Sequence, residues 1–157
     1  MNTPLQGLTE RIQQELVDLE QVVVRLSEAW QRARRSGDDF YLDSVALNLH
    51  GFYSGIERIF ERLAETLDGI LPKGENWHQA LLVQMSKEVS GIRPAVISQQ
   101  TLKRLDEYRG FRHVVRNVYT YHFDEAKLEK LVLGARDSFF QIRAEILAFT
   151  DFLDAQN

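Results

Sequence analysis

Cysteine is absent from this 157-residue chain, which excludes disulfides, thiolate metal sites and cysteine nucleophiles together. Proline occurs three times and glycine nine times, too rarely to interrupt the chain often, so long elements are expected. Apolar runs are short, three or four residues as in Val22-Val23-Val24, far below the ~20 needed to span a membrane as a helix. Met1-Asn2-Thr3-Pro4 lacks the basic-then-apolar layout of a secretory signal, and the expected location is the cytoplasm. Positive charge is not in excess. The formal net charge is −4, so no global field draws the protein to nucleic acid, and any polyanion site must be a local patch. No phosphate-cradling glycine loop, His-Glu-x-x-His or Gly-x-Ser-x-Gly is present.

What is present is helical rhythm. Ile12, Leu16, Leu19, Val23, Leu26, Trp30 and Ala33 step by three and four, one apolar stripe of a helix over about Leu8–Arg35. Gly37 is a stop and Asp38 a cap for the next helix, where Leu42, Ala46, Leu49, Tyr53, Ile56, Phe60, Leu63 and Leu67 repeat the pattern. Leu71-Pro72-Lys73-Gly74 reads as a turn, and Asn76 with Gln79 as a capping-box-like start to a short helix facing inward through Trp77, Leu81, Leu82, Met85 and Val89. Gly91-Ile92-Arg93-Pro94 breaks it. A fourth helix begins near Ser98, and Asp124 is the expected cap of a fifth carrying Leu128 through Leu153. No stretch alternates as a strand would, and neither repeat nor linker interrupts residues 1–157. The expected fold is all-α, one domain, an up-and-down bundle of four long helices and one short one. Gly51 and Gly55 share a face of the second helix, a site for close approach of a neighbour.

The fourth helix reverses the global charge. Lys103, Arg104, Arg109, Arg112 and Arg116 outnumber Asp106 and Glu107. At about 100° per residue, Arg109, Arg112, His113 and Arg116 fall on one arc, with Phe111, Val114, Val115 and Val118 opposite. A cationic face of this kind is ordinarily solvated or paired with acidic neighbours. Arginine forks nevertheless fit phosphate oxygens, and histidine moves protons near neutrality. Tyr108, Tyr119 and Tyr121 nearby offer faces for stacking on bases. Together these residues point to RNA.

The segment from Arg109 to His122 resembles the signature of the HEPN superfamily, and more narrowly of HepT-like toxins, in which an arginine and a polar residue precede a histidine. Here these are Arg116, Asn117 and, after five intervening residues, His122. The resemblance implies a metal-independent endoribonuclease needing no cofactor, a homodimer with its active sites in a cleft at the dimer axis. It also implies an antitoxin partner, the minimal nucleotidyltransferase called MNT. On that resemblance Arg116 would stabilise the scissile phosphate, His122 would act as general acid or base, and Asn117 would position the pair. Arg109, Arg112, His113, Tyr119 and Tyr121 would contact RNA, with His113 an alternative proton carrier. The tyrosine that HepT toxins carry two positions after the histidine is here Asp124. Arg116 and His122 are six apart, about 240° around an ideal helix, so they converge only if the helix ends between them. A different class of reading keeps the fold without catalysis: a module docking a nucleotidyltransferase or binding nucleotide.

Glu75-Asn-Trp-His78 has the Glu-x-x-His spacing of bundle-core metal sites, but no second copy exists. Glu57 and Glu61 are read as a solvated charged face, and His50 as a core histidine.

Overall fold

The computed structural model describes residues 4–117 and 124–156. The side chains of His113, Arg116 and Asn117 fall outside that description, although all three lie within a helix. Five α-helices follow one another: α1 Pro4–Ser36, α2 Phe40–Leu63, α3 Trp77–Met85, α4 Gln99–Asn117 and α5 Glu125–Ala155. No strand forms among the described residues, and the only pairing of extended type is an isolated bridge between Val89 and Arg93. The architecture is the all-α bundle of four long helices and a short one that the three-and-four rhythm predicts.

Each helix begins and ends for local reasons. Gly37 has φ +69°, a left-handed conformation that closes α1 and that glycine adopts without steric cost. The N-cap of α2 is Asp39, which makes no side-chain cap bond; Asp38, the expected cap, stands one residue earlier and accepts from the Phe40 amide at 3.0 Å. At the other end α2 widens into a π-turn over Ala64–Asp68 and stops at Gly69, φ +68°. Ser98 caps α4 by accepting from the Thr101 amide. Asp124 caps α5, accepting from the amides of Ala126 and Lys127. The pair Asn76 and Gln79 does not cap as expected. Asn76 makes no side-chain cap bond, and α3 opens instead on the turn from Gly74 to Trp77.

The apolar stripes converge on one core. Ile12, Leu19 and Leu26 of α1 meet Phe52, Ile56 and Phe60 of α2, Leu81 of α3, Leu105 of α4 and Phe139 and Ile142 of α5. Gly55 explains the α1–α2 contact: a methyl group there would lie 2.6 Å from Leu19 Cδ2, whereas one at Gly51 would meet nothing within 4 Å. Close approach thus accounts for the first glycine and not the second. The α1–α5 pair is antiparallel, its register marked by Arg143 with Glu20 at 3.5 Å and Arg34 with Glu129 at 3.9 Å.

Candidate functional site

The region after α3 is held by an ion pair that composition alone does not announce. Arg93 is fully buried and grips Asp68 through two bonds of 2.7 and 2.8 Å, and its remaining donors reach the carbonyls of Lys87, Pro94 and Gln84. Gln84 also donates to Asp68 at 2.7 Å. Burial alone would raise the Asp68 pKa, but the bonds from Arg93 and Gln84 and the charge of Arg93 outweigh it and hold the carboxyl below its ordinary range. This clamp fixes α3 and the chain leading into α4 against the end of α2.

Between α2, α3 and α4 lies a second polar cluster. Glu57 is 5% exposed and its carboxylate meets His78 Nδ1 at 2.6 Å, so it does not belong to the solvated face expected for it. The reason is tertiary: α3 crosses above this turn of α2 and brings a histidine to it. Trp77 stacks on the same imidazole, centroids 3.6 Å apart, and His78 therefore pairs with Glu57 rather than with Glu75 of the Glu-x-x-His spacing. Among the described residues no three histidine, aspartate or glutamate side chains converge as a metal site. One turn earlier on α2, Tyr53 is fully buried. Burial pushes its phenol far above the ordinary value, Glu57 adds to the rise, and the charges of Arg109 and Arg112 act against it.

That last observation locates the cationic face of α4. Arg109 and Arg112 lie within electrostatic reach of the Tyr53 hydroxyl, on the side of α4 that looks toward α2. Arg109 is 29% exposed at its side chain and binds Asp106, one turn back, at 2.7 Å. Arg112 is half-buried, its Nε shielded from solvent with no hydrogen-bond partner among the described residues. The two arginines thus border a part-buried acidic environment rather than open solvent. Tyr108, expected to stack on bases, is 4% exposed. Its hydroxyl donates to the Leu131 carbonyl at 2.7 Å, its ring packs edge-on against Phe52, and its pKa is pushed by burial up to about 12. It is a core residue.

The motif sits at the end of this helix. Arg116 and Asn117 occupy the last two positions of α4, and Asp124 is already the cap of α5. His122, Tyr119 and Tyr121 lie outside the described residues. Asp124 is given to capping α5.

Against known proteins, a family model described as HepT-like protein matches residues 44–153, from the first turns of α2 almost to the end of α5. No curated protein and no solved structure matches the chain.

Proposed function

The chain belongs to the HepT-like protein family, and on that footing we propose that it is a metal-independent endoribonuclease, the toxin of a HepT/MNT-type toxin–antitoxin pair. The observation that carries the reading is the family match running through α4 and α5 together with the Arg116-Asn117-x4-His122 sequence it contains. In this reading the ribose 2′-hydroxyl attacks the adjacent phosphorus, the bond to the 5′-oxygen breaks, and a 2′,3′-cyclic phosphate and a 5′-hydroxyl remain. His122 takes the 2′ proton or returns one to the leaving oxygen. Arg116 stabilises the phosphoryl oxygens as charge develops on them. Asn117 orients the pair. Arg112, His113, Arg109, Tyr119 and Tyr121 hold the flanking RNA. The partners are a second copy of the chain and a nucleotidyltransferase antitoxin.

The test is cleavage of mixed transfer and messenger RNA in EDTA by the purified protein, beside Arg116→Ala, His122→Ala and His113→Ala. The expected result is cyclic-phosphate ends, reduced about 10²–10³-fold in Arg116→Ala and comparably in one histidine variant, which names the proton carrier. The engagement of Arg109 with Asp106 and the placement of Arg112 within electrostatic reach of buried Tyr53 favour a second reading, in which these cations are structural. The chain would then be a non-catalytic module binding the nucleotidyltransferase or a nucleotide. Absence of cleavage by the dimer, or equal cleavage by all three variants, selects that reading.

A further inference from the structure

Behind its cationic face, α4 opens a cleft toward α5. Gly110, Phe111 and Val114 of α4 and Lys127, Lys130 and Leu131 of α5 border a cavity of about 440 Å³, within the ~300–1,000 Å³ range of small-molecule sites. At about 100° per residue, Gly110 and Val114 each stand about 200° around α4 from Arg112. The cleft is therefore separate from the arginines that look toward α2. Its floor is apolar: Phe111 and Leu131 are buried and Val114 is half-buried.

The fold gives Gly110 no reason to be glycine. It sits inside α4, where glycine is among the poorest helix formers. Its φ is not positive, and a methyl group there would meet no neighbouring atom within 4 Å among the described residues. Backbone conformation and close approach, the ordinary reasons for a glycine, are both excluded. The missing side chain instead keeps the cleft open, and a larger residue would narrow it. The rim of the cleft is cationic. The ammonium of Lys130 lies 3.7 Å from the carboxylate of Glu107, a loose pair at the mouth, and the exposed Lys127 is left as surplus positive charge. Lysine stems cover apolar surface while their heads stay in water, so the wall grades from apolar at the floor to positive at the mouth.

From the cleft, its open floor and its charged rim, we propose that the α4–α5 seam binds a small anionic amphiphile. The apolar body lies against Phe111, Val114 and Leu131, and a singly charged head such as a carboxylate meets Lys127 and Lys130. A neutral apolar molecule would leave the lysine charge unanswered, and a polyphosphate would leave the apolar floor in water. The concave shape takes a free molecule rather than a bilayer surface. The site requires nothing of the arginine–histidine motif and stands apart from the ribonuclease reading. Because it spans two helices, its occupant holds α4 against α5 and stabilises the folded chain by mass action.

The test is calorimetric titration of the full chain with octanoate, beside octanol, octylammonium and vesicles of phosphatidylglycerol. Saturable binding of one octanoate per chain is expected, with a melting temperature that rises with octanoate concentration, and with neither the alcohol nor the ammonium binding comparably. Gly110→Leu fills the floor and should weaken octanoate at least about tenfold. Lys127→Glu reverses the rim and should weaken it about fivefold. Val24→Ser, in the separate groove between α1 and α5, should leave the affinity unchanged. Melts of the unliganded variants come first, and if Gly110→Leu melts below wild type, Lys127→Glu on the exposed rim decides. No saturation by about 10 mM octanoate, tenfold above a millimolar dissociation constant, overturns the proposal. So do equal binding of octanol, an affinity that both cleft variants retain, loss of binding in Val24→Ser, and capture by vesicles in place of octanoate. RNA cleavage has no part in the readout, so failure here and failure of the nuclease reading are told apart.

Discussion

Asp68 and Glu61 illustrate how two carboxylates near the same end of α2 oppose each other in their effect on stability. The Asp68 pKa is lowered from the usual 3.8, so the folded state binds its proton less readily than the unfolded chain. Its contribution is present above about pH 4 and is lost as pH falls through the folded value. Asp68→Asn leaves the fully buried Arg93 without a counter-charge, and the expected cost at neutral pH is about 3 kcal/mol. Urea denaturation across pH 3–7 checks this: the variant should be weaker at pH 7 and show a shallower acid loss. Glu61 goes the other way, raised from 4.5 by burial and by the charges of Glu57 and Glu65. Ionised Glu61 is a cost at neutral pH that disappears below the ordinary carboxylate range. Glu61→Gln should therefore stabilise by about 0.5 kcal/mol at pH 7, and the gain should vanish near pH 4 in the same urea series. Neither residue was legible from the sequence in this role. Glu57 and Glu61 share a helix face by spacing, but whether that face meets water depends on where α3 crosses, a long-range fact that periodicity does not encode. Arg93 reads as part of a Gly-Ile-Arg-Pro break, and only the folded chain shows what its guanidinium grips.

Elements were more readable, because caps and stripes are local. Asp124 was expected to cap the fifth helix and does so with two amide bonds. Asp124→Ala should cost about 1 kcal/mol, measured by thermal or urea unfolding, with the loss at the turn that follows the proposed catalytic motif. Gly51 and Gly55 were indistinguishable by pattern. Both sit mid-helix, where glycine is about 1 kcal/mol poorer than alanine. The structure separates them by what lies opposite. Gly51→Ala adds a methyl group in open space and should stabilise by roughly 0.5–1 kcal/mol. Gly55→Ala drives a carbon against buried Leu19 and should destabilise by about 1–3 kcal/mol. Equal shifts in the two melting curves would contradict this account of the α1–α2 contact. For the candidate site, the sequence reading supplied a geometric requirement, an end to the helix between Arg116 and His122, and that stretch lies outside the described residues. It misassigned Tyr108, whose helical position beside the arginines says nothing of the space α5 has made for its ring.

At the scale of the molecule, the match to the family covers residues 44–153 and leaves α1 and the α1–α2 turn outside, yet that segment is not a folding unit. The α1 helix contributes Leu8, Ile12, Leu16, Leu19, Val23, Leu26 and Trp30 to the buried core, against Phe52, Ile56 and Phe60 on the facing side. Burying an aliphatic or aromatic side chain is favourable by about 1.5–3 kcal/mol each, so removing seven withdraws an amount comparable with the roughly 5–15 kcal/mol net stability of a whole domain. The exposed side of α2 would in addition present a contiguous apolar surface prone to association. A chain beginning at residue 40 is therefore expected to lack a cooperative unfolding transition and to aggregate. Supplying a peptide of residues 4–36 in trans should restore helical content at 222 nm and a cooperative melt, since the α1 face is complementary to what was exposed. A cooperative, monomeric 40–157 fragment would mean that α1 is an appendage to the fold rather than one of its walls.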